Sequence, residues 1–179
     1  KATRNESEKT EATVFDVVFV LDRSGSMGSS GTTGSKFNKM KTAAAQAIDK
    51  ILKYNTAEVY NRVAVVTYGT DAATLKGWTG TPDNGKAVTS LSLNGLTSGG
   101  GGTNIMGGVK LGYEQFASKD TTNGRNATPM MILLTDGEPT YFYKNADASG
   151  TKYGNGQDGT QNGYTDKDRS SWTIAALQH

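Results

Sequence analysis

Residues 14–26 read VFDVVFVLDRSGS. Positions 14–21 are apolar except for Asp16 and rich in Val and Phe. A run of that length without alternation predicts a strand covered on both faces, as inside a parallel sheet. It stops abruptly at the polar turn Asp22-Arg23-Ser24-Gly25-Ser26.

Outward from this strand the pattern becomes a repeating unit. Gly28–Gly34 is a Gly/Ser/Thr loop, and Ser35 stands where it can cap a helix. Phe37, Met40, Ala44, Ala47, Ile48 and Ile51 recur at three- and four-residue spacing, which predicts an amphipathic helix over 36–54. Arg62–Tyr68 (RVAVVTY) predicts a second strand, and Ala72–Trp78 a third at an antiparallel edge. Residues 86–93 carry no decisive pattern. After Gly99-Gly100-Gly101-Gly102-Thr103 the helical period returns, with Ile105, Val109, Tyr113 and Phe116 on one face. Pro129–Thr135 (PMMILLT) predicts another strand, ending at Asp136-Gly137. Strands alternating with helices through short links predict an α/β fold, a doubly wound, Rossmann-like, mostly parallel sheet flanked by helices.

One domain accounts for the chain. Residues 1–12 (KATRNESEKTEA) read as a polar N-terminal segment and 13–179 as the domain. Within it, 139–170 is rich in Gly, Asn, Asp, Thr and Tyr without any period, and reads as a long surface insertion. Ser170 or Ser171 is expected to cap a last helical start at Trp172–Gln178. The alternation calls for one or two more strands and a closing helix, so the domain is expected to be incomplete at its C-terminal side in this chain.

Composition sets aside whole classes of function. The chain has 179 residues, 35% of them hydrophobic, enough for one core. Its net charge of +2, from 19 basic and 17 acidic residues, is too small for an electrostatic nucleic-acid binder. With no cysteine there is no disulfide, thiol nucleophile or Cys-bound zinc. The only histidine is His179, at the chain end, so neither a Ser/His/Asp triad nor a His-based metal site is expected. No apolar run reaches the length of a membrane span, about 18 residues.

The remaining chemistry gathers at strand ends. Asp22, Ser24 and Ser26 follow the first strand, Asp136 follows the last recognisable one, and Thr103 lies on a loop entering a helix. In open α/β sheets the crevice beyond the carboxyl ends of the strands is where ligands bind, so these residues are expected to converge there. Two carboxylates and three hydroxyls form an all-oxygen donor set suited to a hard divalent cation. The hydroxyls add no charge, so the ion stays electrophilic and can accept one more oxygen from an acidic partner. Gly25 allows the tight turn that aims both serines at one point, and Gly99–Gly102 lets the backbone carrying Thr103 approach. Taken alone, Asp22-Arg23-Ser24-Gly25-Ser26 also reads as an Asx-type turn, and the glycine run as a linker. A phosphate loop is disfavoured because no Gly-Lys-Ser/Thr follows.

Asp-x-Ser-x-Ser after an apolar strand, then Thr on a loop, then Asp after a strand, resembles the von Willebrand factor type A domain with its metal-ion-dependent adhesion site. The resemblance covers about residues 13–138. It implies that Ser24 and Ser26 coordinate the ion directly, Thr103 in some states, and Asp22 and Asp136 directly or through water. It implies Mg²⁺ as cofactor, with Mn²⁺ or Ca²⁺ as alternatives. The implied function is a non-enzymatic adhesion module, a monomeric domain of a larger protein, whose extracellular or host protein ligand offers an acidic residue. The aromatic-polar insertion and the lack of cysteine are most similar to pilus-tip and surface adhesins of Gram-positive bacteria, which implies an extracellular, cell-wall-anchored location. Arg23, Tyr141 and Tyr143 are candidate ligand contacts: Arg23 to steer an acid, the tyrosines as an interface-favoured type. In the insertion, Tyr141, Phe142, Tyr143, Tyr153 and Tyr164 read equally as loop packing. Asp158, Asp166 and Asp168 match no EF-hand spacing and read as solvated carboxylates. Two rival readings use the same site: a metal-dependent hydrolase or phosphoryl-transfer enzyme, which lacks an evident base, and an intracellular partner-binding module.

Overall fold

The computed structural model describes residues 12–157 and 163–178. Strand β1 (Phe15–Asp22) lies between β2 (Arg62–Tyr68) and β4 (Thr128–Leu134) and is parallel to both. Strand β3 (Ala72–Thr79) adds to β2 antiparallel, giving the order β3-β2-β1-β4. This is the mostly parallel sheet flanked by helices that the alternation predicts, with the antiparallel edge where it was expected.

The central place of β1 explains its unbroken apolar run. Val17, Phe19 and Leu21 face helix α1 (Lys36–Leu52) and join Phe37, Met40, Ala44, Ile48 and Leu52 in one core. Val18 and Val20 face helix α2 (Ile105–Gln115) and join Ala64, Val66, Tyr68 and Ile105 in the other. The Ser35 hydroxyl caps α1 as expected, accepting from Asn38 N–H at 3.1 Å. Asn104 caps α2, accepting from Gly107 N–H at 3.0 Å.

Asp16, the exception in the apolar run, is buried at the amino end of β1. It accepts from Arg62 Nε at 2.9 Å and Nη2 at 2.5 Å, and from Arg125 Nη2 at 2.6 Å. Asp120 completes the cluster, accepting from the Tyr60 hydroxyl at 2.8 Å and lying 4.0 Å from Arg62 Nη1. The Arg62 guanidinium also stacks over Trp78, 4.6 Å from the ring centre.

Two expectations are corrected. Tyr113 is not on the buried face of α2 but 73% exposed. The face against the sheet is made by Ile105, Gly108 and Gly112: a Cβ on Gly108 would stand 2.6 Å from the Tyr68 ring, and one on Gly112 would stand 2.8 Å from Val20. The last helix, α3 (Asp166–Gln178), starts before Ser170. Thr165 and Asp168 close a reciprocal capping box, Thr165 N–H donating to Asp168 Oδ2 at 2.9 Å and Asp168 N–H to Thr165 Oγ1 at 3.4 Å. Asp168 is thus a cap, and its hydrogen bond from the Thr165 hydroxyl holds its carboxyl below the ordinary value.

The 139–170 stretch carries structure of its own. Strands β5 (Tyr141–Phe142) and β6 (Tyr153–Gly154) pair antiparallel. Phe142 is fully buried, stacked between Tyr153 (5.6 Å) and Trp172 (5.2 Å), with Tyr164 edge-on at 5.6 Å. Arg169 is fully buried on α3 and donates from Nε to Pro139 O at 2.9 Å, tying the helix to the start of the insertion. Residues 1–11, Asp158, the Asp166 side chain and His179 lie outside the described part.

Candidate metal centre beyond the strand ends

Asp22 closes β1 and is fully buried. Its Oδ1 accepts from Ser24 N–H at 2.8 Å, which bends the chain out of the strand. Its Oδ2 accepts from the Thr135 hydroxyl at 2.7 Å and the Tyr68 hydroxyl at 3.2 Å. Burial, and then the charge of Asp22 beside it, push the Tyr68 phenol above its ordinary range, so it stays a donor.

The turn after Asp22 aims two hydroxyls at one place. Ser24 is buried, Ser26 is exposed, and their Oγ atoms are 3.1 Å apart. Ser26 donates to Asp136 Oδ1 at 3.0 Å across 110 residues of sequence. The other oxygen of Asp136 accepts from Lys36 Nζ at 2.6 Å. A side chain begun on Gly137 would lie 3.3 Å from Ser26 Oγ and 3.8 Å from Thr103 Oγ1, so both hydroxyls border the space above that glycine.

The glycine run is packed into the site. Gly25 N–H donates to Gly101 O, and Gly99 N–H to Arg23 O, each at 2.9 Å. A Cβ on Gly102 would come within 2.6 Å of Gly156 Cα, Thr140 Oγ1 and the Tyr141 ring. Beneath it Thr103 is buried, its N–H donating to Thr140 Oγ1 at 2.7 Å and its carbonyl accepting from Thr140 and Tyr141 N–H at 3.0 and 3.1 Å. The insertion therefore forms one wall. Ser26, Lys36, Thr103, Asp136, Glu138 and Gln157 are among the residues lining a cleft of about 410 Å³.

None of the three candidate ligand contacts is among the described residues lining this cleft. Arg23 lies over the Gly99 backbone. The Tyr141 ring packs beside Gly102 and Gly156, under the Lys152 ammonium at 5.0 Å. Tyr143 packs on the Met106–Phe142 cluster, its N–H directed at Met106 Sδ. Sequence reasoning missed Tyr68 and Thr135, which hold Asp22, Thr140, which holds Thr103, and Lys36, which holds Asp136.

The donor chemistry fits a hard divalent cation. Ser26, Thr103 and Asp136 line one cleft, Ser24 Oγ lies against Ser26 Oγ at its floor, and a cationic group, the Lys36 ammonium, already lies against Asp136. Among the described residues no cluster of three His, Cys, Asp or Glu is assembled, so an ion here would rest on hydroxyls and few carboxylates. That leaves it charge-hungry toward an incoming anion.

Comparison with known proteins bears on the same part of the chain. Residues 16–152 match the family model of the von Willebrand factor type A domain. No curated protein sequence matches. Among solved structures, the vWF domain of the type V pili tip protein Mfa5 from Porphyromonas gingivalis is similar at TM-score 0.50 and 24% identity, over 72% of this chain and 39% of that one. The PilB minor pilin from Streptococcus sanguinis is similar at TM-score 0.52 and 23% identity, over 80% of this chain and 34% of that one. At such identities the likeness is one of fold. The chain spans less than half the length of either structure.

Proposed function

The chain belongs to the von Willebrand factor type A domain family, and on that premise we propose that it is an adhesion module gripping a protein ligand through a divalent cation. Ser24, Ser26 and Thr103 would hold the ion with their hydroxyls and Asp136 with its carboxylate. Asp22 would act from beneath, its oxygens already engaged by Ser24 N–H, Tyr68 and Thr135. The bound ion, Mg²⁺ or Mn²⁺ by donor hardness, would supply a Lewis-acidic position for a carboxylate of the partner. A place on the outer surface of a cell, in a pilus or wall-attached protein of Gram-positive type, goes with this reading. Among the described residues no helix is long and apolar enough to cross a membrane.

The single observation carrying the proposal is the 3.0 Å bond from Ser26 to Asp136, which brings the two halves of the oxygen set together. The same bonding argues against the enzymatic alternative. The serine hydroxyls face each other and a carboxylate already engaged by Lys36, with no histidine among the described residues to activate them as nucleophiles.

Titration calorimetry with MnCl₂ tests the site. One saturable Mn²⁺ event is expected, weakened at least about tenfold in Asp136→Ala and in Ser24→Ala, since each removes a donor of the set. Far-ultraviolet circular dichroism should stay unchanged in Asp136→Ala, since the residue follows the end of β4 and belongs to neither hydrophobic core. Absence of any Mn²⁺ event in both the wild type and Lys36→Met, or equal affinity in the wild type and Asp136→Ala, would overturn the reading.

A further inference from the structure

Lys36 is the first residue of α1, directly after the capping Ser35. A cation in the first turn opposes the helix dipole, and that turn has no acidic residue to offset it. Its partner stands across the cleft instead: Nζ lies 2.6 Å from Asp136 Oδ2, on the oxygen that Ser26 does not use. The Lys36 side chain is 64% exposed, whereas that of Asp136 is 13% exposed. The ammonium thus reaches from solvent onto a carboxylate that is mostly covered.

We propose that Lys36 is a tethered competitor cation that sets the affinity of the cleft for divalent metal. The inference rests on the cation-site reading above. Without metal, the ammonium neutralises Asp136 and keeps it aligned with the Ser24–Ser26 hydroxyls. A divalent ion binding Asp136 meets a like charge on the same carboxylate, and Lys36 must swing away before the ion gains the full attraction of that group. The long, exposed stem gives it a direct route into solvent. Wild-type affinity is therefore the difference between two cations for one anion, so a change at Lys36 moves metal affinity although Lys36 supplies no ligand atom.

Three substitutions separate this role from general charge and from helix packing. Lys36→Met removes the charge but keeps the stem, and Mn²⁺ binding by calorimetry should tighten about fivefold or more. Lys36→Arg keeps a competitor cation and should stay within about twofold of the wild type. Lys39→Met removes an equal charge from the next turn of α1, where the residue is exposed; it is Lys36 that bonds Asp136, so Lys39→Met should tighten binding clearly less than Lys36→Met, since an exposed charge acting through solvent is worth little. Equal Mn²⁺ affinity in wild type and Lys36→Met, or equal tightening in Lys36→Met and Lys39→Met, overturns the competitor role while leaving the metal site standing. Absence of Mn²⁺ binding in both wild type and Lys36→Met defeats the site and this inference with it. Binding only in Lys36→Met supports both.

Discussion

Asp22 and Asp136 are both strand-end carboxylates, yet their surroundings divide the work between them. Asp22 is buried with its oxygens met by internal donors, whereas Asp136 borders the cleft and takes an ammonium. Asp22 is therefore an anchor of the turn. A hydrogen bond to a buried charge contributes more than a neutral one. Tyr68→Phe deletes one donor to Asp22 and keeps the ring in its core, and should lower unfolding free energy by about 1–2 kcal/mol in a urea titration. An unchanged midpoint would mean that Thr135 and Ser24 suffice alone. The site was legible only in part for a related reason. Asp22, Ser24 and Ser26 announce themselves by proximity in sequence, and Thr103 and Asp136 by their positions at element ends. Tyr68 and Thr135 read simply as strand residues, because their bonds to Asp22 span 46 and 113 positions. Lys36 carries no sequence signal that links it to Asp136, 100 positions away.

At the scale of elements, hydrophobic periodicity found what apolar side chains build. β1, α1 and β2 are held by Val, Ile, Leu and Phe in regular register, and their predicted ranges agree with the observed ones within two residues. Periodicity failed where contact is made by missing side chains. The α2 face against the sheet contains Gly108 and Gly112, so counting apolar residues assigned Tyr113 to the wrong side. It failed again at α3, whose start rests on the Thr165–Asp168 pair and not on an apolar stripe. The glycine face makes opposing demands measurable. Alanine is favoured over glycine inside a helix by about 1 kcal/mol, but a Cβ on Gly108 would stand 2.6 Å from the Tyr68 ring. Overpacking of that kind costs about 1–3 kcal/mol, and the rigid ring cannot yield as a chain end does. Gly108→Ala should therefore be less stable than wild type by thermal unfolding, and should weaken Mn²⁺ binding by disturbing Tyr68 and hence Asp22. Gly112→Ala meets Val20 and the mobile end of Met131, and should be milder. A more stable Gly108→Ala would show that α2 can lift from the sheet.

Across the whole molecule, the two ends of the sheet treat carboxylates in opposite ways. At the carboxyl end the oxygens face a cleft and an exposed lysine. At the amino end Asp16 and Asp120 are enclosed with Arg62 and Arg125, two negative charges against two positive ones. Burial alone would raise the Asp16 pKa, but the hydrogen bonds and charges of Arg62 and Arg125 outweigh it and hold the group below its ordinary value of 3.8. In the window between the two values the unfolded chain binds the extra proton, so stability rises with pH there. The contribution of Asp16 is thus complete above about pH 4 and is lost as pH falls through the folded-state value. Asp16→Asn leaves two buried guanidiniums without their shared anion, and removing one partner of such a cluster costs about 3–5 kcal/mol. Guanidinium chloride unfolding at neutral pH should show that loss. The gap between wild type and variant should then narrow below pH 4, because protonation deprives the wild type of the same charge. Asp120, also held below its ordinary value against the opposing effect of burial by bonds from Thr122 and Tyr60, is present in both proteins, so the difference between them reports the loss of the Asp16 charge together with its coupling to Arg62. A gap that stays constant down to pH 2 would mean that Asp16 acts by packing alone and that its charge is not what ties the lower end of β1 to β2 and to the chain entering β4.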